Sequence, residues 1–146
     1  MIRRIGVLTG GGDCPGLNPA IKGLVFGAHY GSGHPIEVVG LRDGWRSLVT
    51  PDLPQRGPAM GTHFGPDDHW RILTPADVDH WDAEGGTNLG SSRTNPYNPD
   101  KPQHEQVIKG IEEMNLDALV AIGGEDTLGV AAKLDAEGIP VVGIPK

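Results

Sequence analysis

Three glycine-rich loops carry the residues of this chain whose types and spacing suit phosphate binding. They read TGGGDCPGLN at residues 9–18, GGTNLGSSRTNP at 85–96 and GGEDT at 123–127, and we call them the first, second and third loops. Glycines let backbone N–H groups approach phosphate oxygens, and helix N-termini add a favourable dipole. Arg93 in the second loop can clamp a phosphate with two parallel donors. Together these features favour phosphate binding over a purely structural role.

The third loop places two carboxylates, Glu125 and Asp126, where an anion is expected. A carboxylate beside bound phosphates usually acts through a divalent cation, and Mg²⁺ takes one or two carboxylates together with phosphate oxygens. The alternative is that both acids only stabilise the positive end of a helix, which needs no ligand. Spacing alone does not separate these interpretations.

The sequence gives little support for a standard nucleotide-binding motif or a zinc site. No loop has the spacing of a Walker A motif or of the G-x-G-x-x-G dinucleotide fingerprint, which disfavours NAD(P) binding. The six histidines, including His63 and His69, lack zinc-site spacing, so we expect solvated surface positions. The tryptophans are interpreted as packing residues; they are Trp45, Trp70 and Trp81.

Composition restricts the possible partners and compartments. The length of 146 residues suits one domain with a core, and a net charge of −7 argues against nucleic acid or an anionic membrane as a general partner. No apolar stretch is long enough to span a bilayer. Cys14 is the single cysteine, which rules out an intrachain disulfide and favours a reducing compartment, so we expect a cytoplasmic protein.

The apolar pattern predicts an α/β domain with a mostly parallel sheet. Strands are predicted at 4–9, 36–42, 117–124 and 139–146, and helices at 18–30, 102–115 and 125–138. Asn18 is the expected N-cap of the first helix, and Gly138 is expected to close the last one. Residues 50–83 are interpreted as an irregular excursion with short helical pieces, such as 74–81. Because parallel strands end at one edge of the sheet, the three loops should converge there.

Three segments resemble the 6-phosphofructokinase family. IGVLTGGGDCPGLNPAIKG resembles its N-terminus, GGTNLGSSRTNP its second phosphate loop, and DALVAIGGEDTLGVAAKL its metal and phosphate loop. Their order and approximate spacing match over residues 2–146. The resemblance implies a Rossmann-like three-layer fold and transfer of a phosphoryl group to the 1-hydroxyl of fructose 6-phosphate. The donor is ATP in one branch of the family and pyrophosphate in another.

The resemblance also assigns residue roles. Donor phosphates would be bound by Gly11, Gly12, Arg93, Gly124 and Thr127. Glu125 stands where the family usually has an aspartate associated with Mg²⁺, so the resemblance implies Mg²⁺ as cofactor and Glu125 as its ligand. The family further suggests a homo-oligomer with active sites shared between subunits.

Two positions point to pyrophosphate as the donor. Asp126 matches an aspartate of the pyrophosphate branch, where ATP users typically have glycine, and Lys146 matches a lysine of the same branch. A carboxylate about 4 Å from the ATP α-phosphate would repel it by roughly 4 kcal/mol at an effective dielectric constant of about 20. The Lys146 ammonium can stabilise the transferring phosphoryl group and its leaving phosphate. The alternatives are an ATP-dependent enzyme, with both residues as lineage variation, or a non-catalytic phosphate-binding module.

The resemblance implies more protein than these 146 residues. In the family, the catalytic base is an aspartate in a T-x-D-N-D segment directly after the position of Lys146. We therefore expect this chain to be the N-terminal donor-phosphate-binding part of a longer enzyme. On that reading the sheet is incomplete at its C-terminus, the second domain is absent, and the chain alone is inactive.

Overall fold

Five strands form one sheet in the computed structural model, which describes residues 1–50 and 68–146. The strands are β1 (Arg4–Thr9), β2 (Glu37–Leu41), β3 (Trp70–Leu73), β4 (Ala118–Gly123) and β5 (Val141–Pro145). Their order across the sheet is β3-β2-β1-β4-β5. Strands β2, β1, β4 and β5 are parallel neighbours, whereas β3 pairs antiparallel with β2. The prediction of a mostly parallel sheet is confirmed.

The central strands β1 and β4 are buried almost end to end, which explains their nearly continuous apolar sequences. Successive side chains alternate between the two faces of the sheet. Leu8 of β1 and Leu119 of β4 point to one face, while Val7 and Val120 point to the other. Both faces therefore bury apolar side chains from the same two strands.

Helices cover both faces and complete a three-layer α/β fold. Helices α3 (His104–Glu113) and α4 (Glu125–Ala136) pack on one face with a 3₁₀ turn at Gly44–Val49, and we call this core the α3/α4 cluster. Helix α1 (Leu17–Phe26) packs on the other face with the short helix α2 (Pro75–Val78), and we call this core the α1 cluster. This arrangement confirms the Rossmann-like prediction.

The predicted elements agree with the structure within a few residues at each end, apart from the long excursion. Residues 51–67 of that excursion, including His63, lie outside the described residues. Its remainder contains α2 and a 3₁₀ turn at Trp81–Ala83, which confirms the short helical pieces. It also contains β3, which the sequence did not predict because this short strand carries the charged residue Arg71 and shows no clear alternation.

The predicted N-cap of α1 is wrong. The N-cap is Gly16, whose φ of 104° lies in the left-handed region, and Asn18 lies inside the helix with its side chain buried. At the other end of the chain, Gly138 follows α4 with φ of 92°, so it closes this helix as predicted.

Two further expectations concern side chains and hydropathy. All three tryptophans are buried, with exposed fractions of 3% for Trp45, 7% for Trp70 and 2% for Trp81, which confirms that they pack. Within residues 1–50 and 68–146, no helix has the length and apolar character needed to cross a membrane.

Candidate phosphate site

The first and third loops meet at the edge where β1, β4 and β5 end. The N–H of Gly10 donates to the carbonyl of Ile122, 2.9 Å away, and the N–H of Lys146 donates to the carbonyl of Gly123 at 3.2 Å. These bonds continue the pairing of parallel strands past their last residues. Lys146 is thereby fixed beside the third loop.

A threonine packed between two glycines sets the close approach of these loops. A Cβ atom on Gly10 would lie 2.2 Å from Oγ1 of Thr127, and one on Gly123 would lie 2.7 Å from Cβ of Thr127. The side chain of Thr127 is correspondingly buried. The structure therefore places Thr127, a predicted phosphate-binding residue, in the packing between the loops, with its backbone in the first turn of α4.

Four of the predicted site residues lie together at this edge. The ammonium of Lys146 donates a hydrogen bond to the carbonyl of Gly12. A Cβ on Gly11 would lie 3.2 Å from Cε of Lys146 and 3.9 Å from the backbone nitrogen of Gly124. Gly11 also has φ of 80°, a conformation that favours glycine. A positive charge and glycine backbone from two loops thus surround one small region.

The N-terminus of α4 opens at the same place. Its N-cap is Gly124, which provides no side-chain acceptor, so the first N–H groups of the helix have no capping partner there. Glu125 and Asp126 occupy the first turn, and both are exposed. Helix N–H groups attract anions, whereas these carboxylates attract cations.

A magnesium ion fits these residues only in company with other ligands. Within the described part of the chain, no group of three or more histidine, cysteine, aspartate or glutamate side chains could hold a metal. Mg²⁺ commonly uses one or two protein carboxylates and completes its octahedron with water and substrate phosphates. The exposed carboxylates of Glu125 and Asp126 match that donor set.

The second loop is anchored to β1 and α1 by buried polar side chains. Thr9 donates its hydroxyl proton to the carbonyl of Gly90 at 2.8 Å, and its Oγ1 lies 2.7 Å from Oγ1 of Thr87. The amide of Asn18 donates to the carbonyl of Glu84 at 3.1 Å and accepts from the N–H of Asn88 at 2.8 Å. These contacts hold the loop against the end of β1.

Further contacts fix the loop just before Arg93 and beyond it. Ser92 donates its hydroxyl to the carbonyl of Asp43 at 2.7 Å. Tyr97 donates its phenol to Glu137 at 2.8 Å; burial, and then this carboxylate, raise the pKa of Tyr97 to about 12. Arg93 itself is exposed and forms no hydrogen bond or ion pair with the residues that the structure describes. The structure thus brings its loop to the site, while its guanidinium forms no hydrogen bond or ion pair with the other predicted residues.

Sequence reasoning missed Thr9, Asn18 and Asp43. The sequence did contain a sign that Asn18 is buried, because it stands at helical spacing from Ile21 and Val25, on the buried side of α1. A polar residue on an apolar helix face requires a hydrogen-bond partner. Asp43 gave no comparable signal; its left-handed backbone, with φ of 57°, is a property of the folded loop.

Comparisons with known proteins match this chain along nearly its whole length. The sequence profile described as Phosphofructokinase matches residues 4–146. The pyrophosphate–fructose 6-phosphate 1-phosphotransferase of Dictyoglomus thermophilum is 46% identical over 144 residues, which are 98% of this chain and 35% of that protein. The ATP-dependent 6-phosphofructokinase 3 of Streptomyces coelicolor is 43% identical over 149 residues, covering 98% of this chain and 36% of that protein. Relatives named for both donors therefore match.

A solved structure agrees with the fold. The crystal structure of Pichia pastoris phosphofructokinase in the T-state superposes with a TM-score of 0.73 and 30% sequence identity, over 94% of this chain and 14% of that chain. The chain spans about a third of the length of the two relatives above. Because the profile matches all but the first three residues, and the fold agrees, the chain belongs to the phosphofructokinase family.

Proposed function

We propose that this chain supplies the donor-phosphate-binding part of an enzyme that phosphorylates fructose 6-phosphate with pyrophosphate. In this reaction a P–O bond forms to the 1-oxygen of the sugar while the bridging P–O bond of pyrophosphate breaks; the proton of the hydroxyl group ends on the phosphate that leaves. The product is fructose 1,6-bisphosphate, which places the reaction in glycolysis. A cytoplasmic location fits the single cysteine of the sequence.

The observation that carries this proposal is the position of Lys146 against the first loop. Its ammonium is held by the carbonyl of Gly12 and lies beside Gly11, at the mouth between the first and third loops. Pyrophosphate oxygens can replace that carbonyl as the acceptor. The ammonium would then stabilise negative charge on the phosphoryl group and on the phosphate that leaves.

Asp126 supports the choice of donor. It lies in the first turn of α4, where helix N–H groups would otherwise favour any phosphate chain. An exposed carboxylate at this place repels an additional phosphate, such as the α-phosphate of ATP. It therefore weakens the binding of ATP more than the binding of pyrophosphate, which has only two phosphates. A Mg²⁺ ion bound by Glu125 would neutralise donor charge, and Arg93 would reach the same donor from the second loop.

Calorimetric titrations of residues 1–146 with pyrophosphate and with ATP, each with Mg²⁺, test the donor assignment. We expect pyrophosphate to bind more tightly. The variant Asp126→Gly should strengthen ATP binding, by at most about a thousandfold if the full repulsion of roughly 4 kcal/mol is relieved. Asp135→Gly, at the exposed C-terminal end of α4, controls for the loss of one negative charge. Tighter binding of ATP by the parent chain would refute the pyrophosphate assignment.

A chimera tests the reaction itself. Residues 1–146 replace the matching third of the Streptomyces coelicolor ATP-dependent relative, and fructose 1,6-bisphosphate is measured with each donor. Activity with pyrophosphate that the unmodified relative lacks would support donor selection by this chain. Activity with ATP alone would favour the second candidate, an ATP-dependent enzyme. The 43% identity to that relative supports this candidate.

A further inference from the structure

We infer that Asn18 is a positioning residue for Arg93, acting through the backbone of the second loop. The inference rests on the proposed role of this loop in donor binding. Asn18 is fully buried, with an exposed fraction of 0%, and sits in the first turn of α1. A buried amide without partners would be costly, so its partners indicate why asparagine occupies this place.

The partners of Asn18 are backbone groups on both sides of a tight turn. Its Nδ2 donates to the carbonyl of Glu84 and its Oδ1 accepts from the N–H of Asn88. Between these two residues the chain turns through Gly86, whose φ is 75°. One side chain therefore holds the start of the second loop at two points. Its hydrogen bonds do for this turn what backbone hydrogen bonds do in a helix or a sheet.

The order imposed by Asn18 continues along the loop to Arg93. After Asn88, the carbonyl of Leu89 accepts a hydrogen bond from the N–H of Asp43 at 2.9 Å, and Ser92 donates back to the carbonyl of Asp43. Arg93 is the next residue. Its exposed side chain forms no hydrogen bond or ion pair in the described part of the chain, so what the structure fixes is the backbone position from which this side chain leaves the loop.

Asn18 offers a cleaner test than Thr9, the other buried anchor. Because Thr9 gives its only proton to Gly90, Thr87 must donate to Thr9, and Oγ1 of Thr87 in turn accepts from the N–H of Leu89. Thr9, however, directly precedes Gly10 in the site, so changing it would disturb the first loop. Asn18 is the last residue of the first loop, but it lies inside α1 and is not among the residues assigned to phosphate binding.

The test is a double-mutant cycle on pyrophosphate affinity, measured by calorimetry with Mg²⁺. The four proteins are the parent, Asn18→Ala, Arg93→Ala and the double variant. We expect Asn18→Ala to weaken binding about tenfold when Arg93 is present and hardly at all when it is absent, as coupled residues do. Equal losses in both backgrounds would overturn the inference, because Asn18 would then act on the fold in general.

Backbone ¹⁵N relaxation gives an independent reading that requires no ligand. In Asn18→Ala the order parameter of the Arg93 amide should fall from about 0.85 towards 0.6. An unchanged value would overturn the inference. If Arg93→Ala binds pyrophosphate as tightly as the parent, the proposed donor role of Arg93 fails, and the order parameter alone decides whether Asn18 positions the loop.

Two further variants guard against misfolding and non-specific effects. Asn18→Ser keeps a small buried hydroxyl that is too short to bond to both Glu84 and Asn88, so we expect the same loss in milder form should Asn18→Ala fail to fold. Asn88→Ala is the matched control. It removes a surface hydrogen bond to the Glu84 carboxylate at 2.7 Å and keeps the backbone N–H that Asn18 binds, so affinity should stay unchanged.

Discussion

Single residues decide how closely the first and third loops approach each other. Thr127 fills the space between Gly10 and Gly123, and the carbonyl of Gly10 would lie 2.9 Å from a Cβ on Gly123. Neither glycine is needed for a positive φ, since neither has one. Their role is to leave room, which lets two backbones meet where a donor phosphate would bind.

This packing predicts a specific cost for Gly10→Ala. The new methyl would lie 2.2 Å from Oγ1 and 2.9 Å from Cγ2 of Thr127, so the loops must separate. Overpacking of this kind costs about 1–3 kcal/mol of unfolding free energy. Urea denaturation followed by circular dichroism measures the change.

Gly12→Ala is the matched control for Gly10→Ala. A Cβ on Gly12 meets no atom of residues 1–50 or 68–146 within 4 Å, and its φ is not positive, so the unfolding midpoint should stay close to that of the parent. Equal destabilisation by both substitutions would show that alanine harms the first loop in general. The assigned contact with Thr127 would then be wrong.

Among the elements, β1 and β4 are joined at their starts by one carboxylate. Oδ2 of Asp117 accepts from the N–H groups of Arg3, at 2.7 Å, and Arg4, at 2.9 Å. These bonds, that to Arg3 first, lower the pKa of Asp117 below its ordinary value of 3.8. The stabilisation is therefore complete above the unfolded-state pKa and is lost as pH falls through the lower folded-state pKa.

Asp117→Asn should consequently lower the urea midpoint at neutral pH, because a neutral amide accepts these hydrogen bonds less strongly. The difference from the parent should shrink as pH falls below 3.8 and vanish once Asp117 is protonated in the folded protein. Asp100→Asn is the control, since the exposed side chain of Asp100 bonds to none of the described residues. A difference that persists in acid would contradict the assignment.

At this scale the sequence predicts long elements better than short ones. Strands 4–9 and 117–124 have runs of apolar residues that only a buried parallel strand explains well, and both were found. Strand β3 has four residues, and its pairing with β2 is a long-range contact that no local pattern encodes. Asn18 was misassigned because asparagine before a helical run is typical of an N-cap, whereas here tertiary contacts with the second loop decide its role.

For the site, the sequence predicted convergence but not contacts. Placing the loops after parallel strands correctly brought Gly11, Gly12, Gly124 and Lys146 to one edge. The packing of Thr127 depends on the distance between two backbones, which spacing along the chain does not reveal. The roles of all these residues toward a ligand, and those of Arg93, Glu125 and Asp126, stay predictions.

In the whole molecule, one sheet links two cores that helices cover from opposite sides. Strands β1, β2 and β4 give alternate side chains to the α3/α4 cluster and to the α1 cluster. Neither cluster can be exposed without removing support from the same central strands. The site edge depends on both, because the first loop leads into α1 and the third into α4.

This sharing predicts that both faces unfold in one cooperative transition. Trp45 and Trp70 lie in the α3/α4 cluster, while Trp81 lies in the α1 cluster, so tryptophan fluorescence can report each face separately. The variant Trp81→Phe retains Trp45 and Trp70 as fluorophores. The double variant Trp45→Phe/Trp70→Phe retains only Trp81. In each protein, the urea midpoint from fluorescence should coincide with that from far-ultraviolet circular dichroism.

Each variant is compared only with its own circular dichroism curve, because trimming a buried tryptophan lowers stability by itself. A Trp81 signal that changes at lower urea than the circular dichroism of the same protein would show that α1 and its loop detach first. The contacts of the first and second loops with the third loop would then be lost before the sheet unfolds. Coincident midpoints mean instead that the phosphate edge is lost only when the sheet itself unfolds.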